Sequence, residues 1–376
     1  MSSVKADNIE QELIVRYYNA INDEEWASLL DTLGTEYSQT ISATLESEYY
    51  AANRIGIYNV DKVNEIELLE TIENEAMYLT ILEECEGDDI TIYLVKSDLS
   101  VYEEDEFYKE GTNYTLFFIG TVEGERKIVS TRMPLTETVA FYAGEEEAQV
   151  YQDERLGLSD TGRAANGCLY NRLPNSVKVK RWKYGDGSIE TVDLKQYVKI
   201  VSAREIGYVS RAEAYHYAGI LAVRNYAWYH IMTADANLGY HVTDTNAKIE
   251  GVYKSYQIYN PNEYWNEEVW ATLYNRVDNI WNMNFFSSNY DRVFSWYTSE
   301  DGLGTQHSGR MNLKTANDLA NSGWNYQQIL NYFYGYSEAS SSNLRFISVG
   351  EHVYYTTTID NGVVLYHCKC GHTGTS

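Results

Sequence analysis

Cysteine is scarce: Cys85, Cys168, Cys368 and Cys370 are the four in 376 residues. So few, so unevenly spread, they exclude a disulfide framework and leave the redox compartment open. No apolar run approaches the roughly 18 to 20 residues that cross a bilayer. The opening Met1-Ser-Ser-Val-Lys-Ala-Asp-Asn8 lacks the apolar stretch of a signal peptide, so an exported form would carry its signal outside this chain. Internal repeats and long low-complexity tracts are absent too. Positive charge is short, 29 Lys+Arg against 55 Asp+Glu. The imbalance lies wholly in residues 1–160, whose net charge is −26, while the remaining 216 residues are neutral. A step that abrupt marks a domain boundary near 160. The acidic half repels nucleic acid and anionic membrane, and neither is expected as a partner.

What is present is the material of a globular protein, with 44% apolar and 14% aromatic residues, and the length suits two domains with separate cores. The 36 tyrosines supply apolar rings with polar tips, suited to half-buried strand surfaces and to stacking on sugars.

Residues 8–31 read as an amphipathic helix through Ile9, Leu13, Tyr17, Ile21 and Leu29, with a second helix at about 39–53. Alternation then predicts strands at 76–84, 90–102, 107–119 and 127–131, separated by Gly87-Asp-Asp, Gly111-Thr-Asn and Gly124. The fold class expected is α+β: an N-terminal cone-like module of helices and a curved antiparallel sheet, then a mixed α+β domain. The boundaries are an acidic accessory domain over 1–135, an aperiodic linker over 136–170, a second domain over 171–345, and a C-terminal hairpin or tail over 346–376. Within the second domain, Lys178–Tyr184 and Ser188–Val192 flank a Gly/Asp turn as a hairpin. Asp193 and Asn325 cap helices, each with Gln three residues on, and Ser210-Arg-Ala-Glu213 forms a capping-box pattern before a helix reaching Met232.

On that helix Tyr217, Ile220, Leu221, Arg224, Ala227 and Trp228 share a stripe, and Arg224 is its one charge. A buried guanidinium needs an anionic partner, and Glu205 at the end of the preceding helix is a candidate. Composition leaves a second reading open, in which Arg224 snorkels to solvent and Glu205 is an ordinary helix-end acid.

Six ordered blocks bear on that choice: Val177-Lys-Val-Lys, Asp193-Leu-Lys-Gln-Tyr-Val-Lys, Ser202-Ala-Arg-Glu205, Ala222-Val-Arg224-Asn-Tyr226-Ala, Gln306-His307-Ser-Gly309-Arg-Met311 and Tyr326-Gln-Gln-Ile-Leu-Asn-Tyr-Phe-Tyr334. Together they resemble the SpoIID/LytB family (stage II sporulation protein D and amidase enhancer) across roughly 170–336. The opening Val15-Arg-Tyr-Tyr-Asn-Ala-Ile-Asn-Asp-Glu-Glu-Trp26 resembles the first helix of nuclear-transport-factor-two-like domains, which implies a shape more than an activity.

The first resemblance implies a lytic transglycosylase acting on peptidoglycan, extracellular or cell-wall associated, with glycan strands and a cell-wall amidase as partners. It places the catalytic glutamate on Glu205, and substrate contacts on Arg224, Tyr226, His307 and Met311. One carboxylic acid would protonate the bridging oxygen; the resulting carboxylate would take the proton of the sugar's own 6-hydroxyl, closing a 1,6-anhydro ring. The acid must stay protonated near neutrality, so an adjacent Arg224 would oppose the role, and positioning is the better task for it.

The chain departs from the family where a lysine falls on His216 or Tyr217, a glutamine on Gly219, and Ser-Gln-Tyr-Gly becomes Asn312-Leu-Lys-Thr315. These losses keep a non-catalytic peptidoglycan-binding or amidase-enhancing protein as the alternative. A purely structural surface protein, assembling through Tyr-rich faces, is a third. Thr243-Asp-Thr-Asn-Ala-Lys lacks the Cys/His zinc pattern of some members. His367-Cys368-Lys-Cys370-Gly-His372, with His352 upstream, gathers soft ligands but lacks a second cysteine pair. No metal and no cofactor are expected.

Overall fold

The N-terminal stripe forms α1 (Ile9–Asn22), which buries Leu13, Ile14, Tyr17, Tyr18, Ala20 and Ile21. The helix stops there because Glu24 takes a left-handed φ of 51°, and α2 (Trp26–Asp31) starts anew. The expected second helix is likewise two, α3 (Thr35–Leu45) and α4 (Glu48–Asn53), and it ends at Arg54 in the left-handed region. This computed structural model describes residues 9–72, 75–155, 168, 171–207, 210–245, 257–287, 293, 295–299, 302–335, 344–360, 363–368, 370 and 372–375.

An antiparallel sheet follows, in the order β1 (Val60–Thr71), β2 (Asp88–Val101), β3 (Gly111–Val122) and β4 (Glu125–Arg132). Its two central strands bury Ile92 to Val95 and Leu116 to Ile119. β1 is absent from the sequence expectation because it is acidic, with Val63 as its one core residue, and it is broken by three register shifts against β2. It is a charged, bulged edge strand, a form that discourages pairing with other chains. The segment at 76–84, expected as a strand, is instead a 3-10 turn (Glu75–Tyr78) and α5 (Leu79–Glu84). Tyr78 and Ile81, three apart, reach the core while Leu79 stays exposed, a helical spacing that short alternation hides. The stretch expected as an aperiodic linker from 136 is helical, as α6 (Thr136–Ala143) and α7 (Glu145–Arg155). Residues 156–167, 169 and 170 lie outside the described residues.

The chain divides into two compact units. One is the described part of Met1–Leu158 with Met232–His241; the other is the described part of Ser159–Ile231, Val242–Asn246 and Ser255–Ser376. The first unit is thus completed by a segment distant in sequence. Asp235 of that segment accepts hydrogen bonds from the Tyr37 hydroxyl (2.8 Å) and the Thr131 hydroxyl (2.8 Å), and Asn237 accepts from Tyr17 and Tyr108 (2.9 Å each).

In the second unit β5 (Ser176–Lys180) and β6 (Ile189–Asp193) form the expected hairpin. Asp193 caps α8 (Leu194–Glu205) by accepting from the Gln196 N–H at 2.9 Å. α9 (Glu213–Met232) follows; residues 218–228 are buried on every side, so it is a central helix rather than an amphipathic surface one. Its first residue is Glu213, so Ser210 lies outside the helix it was expected to cap.

β7 (Val242–Thr243) pairs parallel with β5. Then come α10 (Pro261–Tyr264), α11 (Glu267–Ile280), β8 (Met283–Phe286), β9 (Trp296–Thr298), β10 (Arg310–Asn312), α12 (Leu313–Asn321) and α13 (Tyr326–Tyr334). The expected capping box of Asn325 and Gln328 opens α13. β11 (Arg345–Ser348) pairs with β8, and β12 (Tyr354–Asp360), β13 (Val363–Cys368) and β14 (Thr373–Thr375) make an antiparallel sheet. The protein is mixed α+β with mainly antiparallel sheets, as its patterning implies.

Candidate active site around Glu205

Glu205 is the last residue of α8. Ile206 and Gly207 both donate their N–H to the Ser202 carbonyl, and Gly207 turns the chain with φ +57°. That glycine-terminated end aims the Glu205 side chain inward at the negative pole of a helix, where a carboxylate is least welcome. Oε1 accepts the Ile258 N–H at 2.6 Å, and Oε2 accepts the Tyr297 hydroxyl. Burial pushes the carboxyl up to about 7, against the Tyr297 hydroxyl, the Ile258 N–H and the charge of Arg204, which all favour the ionised form. At neutral pH the group is therefore poised between acid and carboxylate.

The hydrogen bonds run on from there. Tyr297 accepts from Gln257 Nε2 at 3.1 Å; the same amide nitrogen donates to the Val223 carbonyl of α9 at 2.9 Å. Gln257 Oε1 accepts the Tyr197 hydroxyl at 3.0 Å, and Tyr197 stacks on Tyr259 with centroids 5.2 Å apart. Gln257 is fully buried, and each of its amide atoms has a partner. Glu205, Tyr297, Gln257 and Tyr197 thus form one continuous chain of donors and acceptors, which holds the carboxyl in a single orientation. Tyr297, Gln257 and Ile258 are not among the sequence-derived candidates. They sit 34 to 92 residues from their partners in sequence, and no local pattern marks them.

The sequence candidates fare differently. Met311 is fully buried on β10, and the parallel pairing of β10 with β9 sets it opposite Tyr297. Tyr226 is also buried, edge-on to Tyr297 at 5.9 Å and tilted on His230 at 4.4 Å. Both support the ring that holds Glu205, and neither is open to a substrate. His307 is exposed, on the loop entering β10, with φ 58°. Its imidazole meets the Gly335 carbonyl and the Gln306 amide, not Glu205.

Arg224 requires correction as both ion partner and substrate contact. It is fully buried. Its guanidinium donates to the Trp281 carbonyl (2.7 Å), to Asn284 Oδ1 (3.1 Å) and to Asn225 Oδ1 (3.2 Å), and it faces the Trp281 ring. No carboxylate among the described residues pairs with it, and burial pulls its proton affinity down to about 9, still charged at neutral pH. Snorkelling fails as well, because residues 218–228 offer no solvent-facing side.

The departures noted in sequence have structural occupants. His216 is buried between the Gly207 carbonyl and Arg276, and a Cβ at Gly219 would lie 2.7 Å from Ile206 Cδ1. Asn312 caps α12 by accepting the Thr315 N–H at 2.9 Å. Residues 246–248 of Thr243-Asp-Thr-Asn-Ala-Lys lie outside the described residues.

Elsewhere, a cavity in the first unit lined by Tyr17, Tyr108, Phe117 and Asn237 measures about 20 Å³, room for a water molecule and no more. Cys168, His352, Cys368 and Cys370 bring their ligand atoms within 4.8 Å of one another. No helix among the described residues is long and apolar enough to cross a membrane. No family model, no curated protein and no solved structure matches this chain.

Proposed function

We propose that the protein cleaves glycan strands of peptidoglycan as a lytic transglycosylase, with Glu205 as its single general acid and base, in the manner of the SpoIID/LytB family. The observation that carries this reading is a half-buried carboxyl held in one orientation by the Ile258 N–H and the Tyr297 hydroxyl, with burial raising it to about 7. Such a group can donate its proton to a glycosidic oxygen and, once ionised, take one from the 6-hydroxyl of the same sugar. Intramolecular capture needs no second carboxylate at glycosidase spacing. Tyr297 and the Ile258 N–H would stabilise the carboxylate that forms after the first transfer.

One observation favours a second reading, a non-catalytic peptidoglycan-binding or amidase-enhancing protein. Both oxygens of Glu205 already have internal donors, so substrate must compete with Tyr297 for Oε2. The experiment is to incubate the protein with glycan strands, with and without stem peptides, and search for 1,6-anhydro ends by mass spectrometry. Anhydro products from wild type that vanish in Glu205→Gln support catalysis. Products that persist in Glu205→Gln remove Glu205 from the mechanism, and none from wild type on either substrate favours the binding reading.

A further inference from the structure

The Cys368-Lys-Cys370 pair gains a third thiol from 200 residues upstream. Cys168 Sγ lies 3.3 Å from Cys368 Sγ, and Cys370 Sγ lies 3.2 Å from Cys368 Sγ. His352 Nδ1 lies 3.3 Å from Cys370 Sγ. The thiols are unbonded, since a disulfide would bring two sulfurs to about 2.05 Å. Thiols are weak donors and weak acceptors, so three of them gain little from one another. Their convergence on one point, with an imidazole as fourth, calls for a cation. Tetrahedral zinc, with Zn–S about 2.3 Å and Zn–N about 2.0–2.1 Å, sets its ligand atoms roughly 3.6–3.8 Å apart; three pairs here lie at 3.2–3.3 Å and all lie within 4.8 Å, so small side-chain shifts would seat the ion.

The backbone builds this arrangement from three sides. The Cys168 N–H donates to the Gly350 carbonyl (2.8 Å), and the Gly350 N–H donates to the Asn171 carbonyl (2.7 Å). The Asn171 side-chain amide donates to the carbonyls of Ser348 and Glu351, just ahead of His352. Register in the C-terminal sheet sets Tyr354 opposite Cys368, which brings His352 to that end of β13. The Cys368 N–H donates to the His372 carbonyl at 2.9 Å and closes the turn that presents Cys370. His372 stacks on the His352 ring at 3.8 Å and 11°, fixing its plane. Cys168 and Cys368 are buried; His352 and Cys370 are half-buried.

We infer that Cys168, His352, Cys368 and Cys370 bind one zinc ion. Three thiolates and a neutral imidazole are a soft donor set that suits zinc over calcium or magnesium. Four protein ligands close the coordination sphere and leave no position for water or substrate, so the site is structural. It ties the three-stranded C-terminal sheet to Cys168, whose neighbour Asn171 holds the approach to His352. As three S–Zn bonds form, the three thiols release their protons to solvent, so binding weakens in acid.

The test is metal analysis of the full chain, purified under reducing conditions without chelator. One zinc per chain is expected in wild type and in Cys85→Ser, whose cysteine lies in the other unit. Cys370→Ser and His352→Ala should carry about ten-fold less zinc, or lower still. Because a zinc-free variant can also fail to fold, chelator-stripped wild type is titrated with cobalt. One equivalent should produce a thiolate-to-cobalt charge-transfer band and the strong visible bands of tetrahedral cobalt. Zinc retained at the wild-type level by both variants overturns the inference. So does wild type that carries no zinc and gives no tetrahedral cobalt spectrum, or a disulfide among Cys168, Cys368 and Cys370 in freshly isolated protein.

Discussion

Tyr297 donates its hydroxyl to Oε2 of Glu205 across 92 residues of sequence, and in turn accepts from the buried amide of Gln257. The tyrosine stabilises the ionised carboxyl while the surrounding burial stabilises the neutral one. Burial is the larger effect, so the carboxyl titrates at about 7 rather than in the ordinary range.

The pH dependence of stability follows from that shift. The folded state holds the Glu205 proton more tightly than the unfolded chain, where the group titrates near 4.5. Its contribution is therefore fully present below about pH 4.5 and declines as pH rises through about 7. The change across that window is on the order of 3 kcal/mol. Denaturant titrations of wild type and Glu205→Gln should show wild type losing stability relative to the variant from pH 4.5 to 7, with the gap constant above about pH 8. A gap independent of pH would mean that the carboxyl is ionised throughout.

Tyr297→Phe keeps the ring against Tyr226 and removes the donor to Glu205. The carboxyl should then titrate higher, and under the transglycosylase reading the alkaline limb of the pH–rate profile moves up with it. Gln257 loses an acceptor, so a stability loss of about 1–2 kcal/mol is expected. A pH–rate profile together with urea unfolding separates the two effects, and an unmoved limb would mean that Tyr297 only packs.

Arg224→Ala should cost about 3–5 kcal/mol, since it opens space in a packed helix and strips donors from Trp281 and Asn284. Under the peptidoglycan reading, glycan affinity of the folded fraction should be unchanged, because the guanidinium lies in the core. Thermal unfolding and equilibrium binding read the two quantities, and a selective loss of binding at unchanged stability would restore Arg224 as a substrate contact.

Tyr37→Phe should destabilise the first unit by about 1–3 kcal/mol, because Asp235 loses a buried donor. The Asp235 carboxyl is already pushed up by burial, with Arg132 and the Tyr37 hydroxyl opposing. Losing Tyr37 raises it further, so the deficit should be larger at pH 7 than at pH 4 when measured by chemical denaturation. A deficit that does not change with pH would place the effect in packing alone.

Local chemistry alone determined several features of this protein. Asp193 and Asn325 cap their helices, and Lys178 to Val192 folds as a hairpin. Each rests on short-range chemistry: a side-chain acceptor near a free N–H, or a turn residue. Tertiary structure decided the rest. The pattern of β1 carries almost no burial, so only pairing with β2 makes it a strand. Arg224 has the same neighbours in sequence whether it faces solvent or core, and complete burial of the middle of α9 settled that choice. Glu205 was visible as one carboxylate at a helix end, but its proton affinity comes from Tyr297, Ile258 and the burial around them. Cys168 had no meaning beside Cys368 and Cys370 until the chain brought all three together. Contacts between distant segments are set by how whole faces pack, and no window of sequence contains both halves of such a contact.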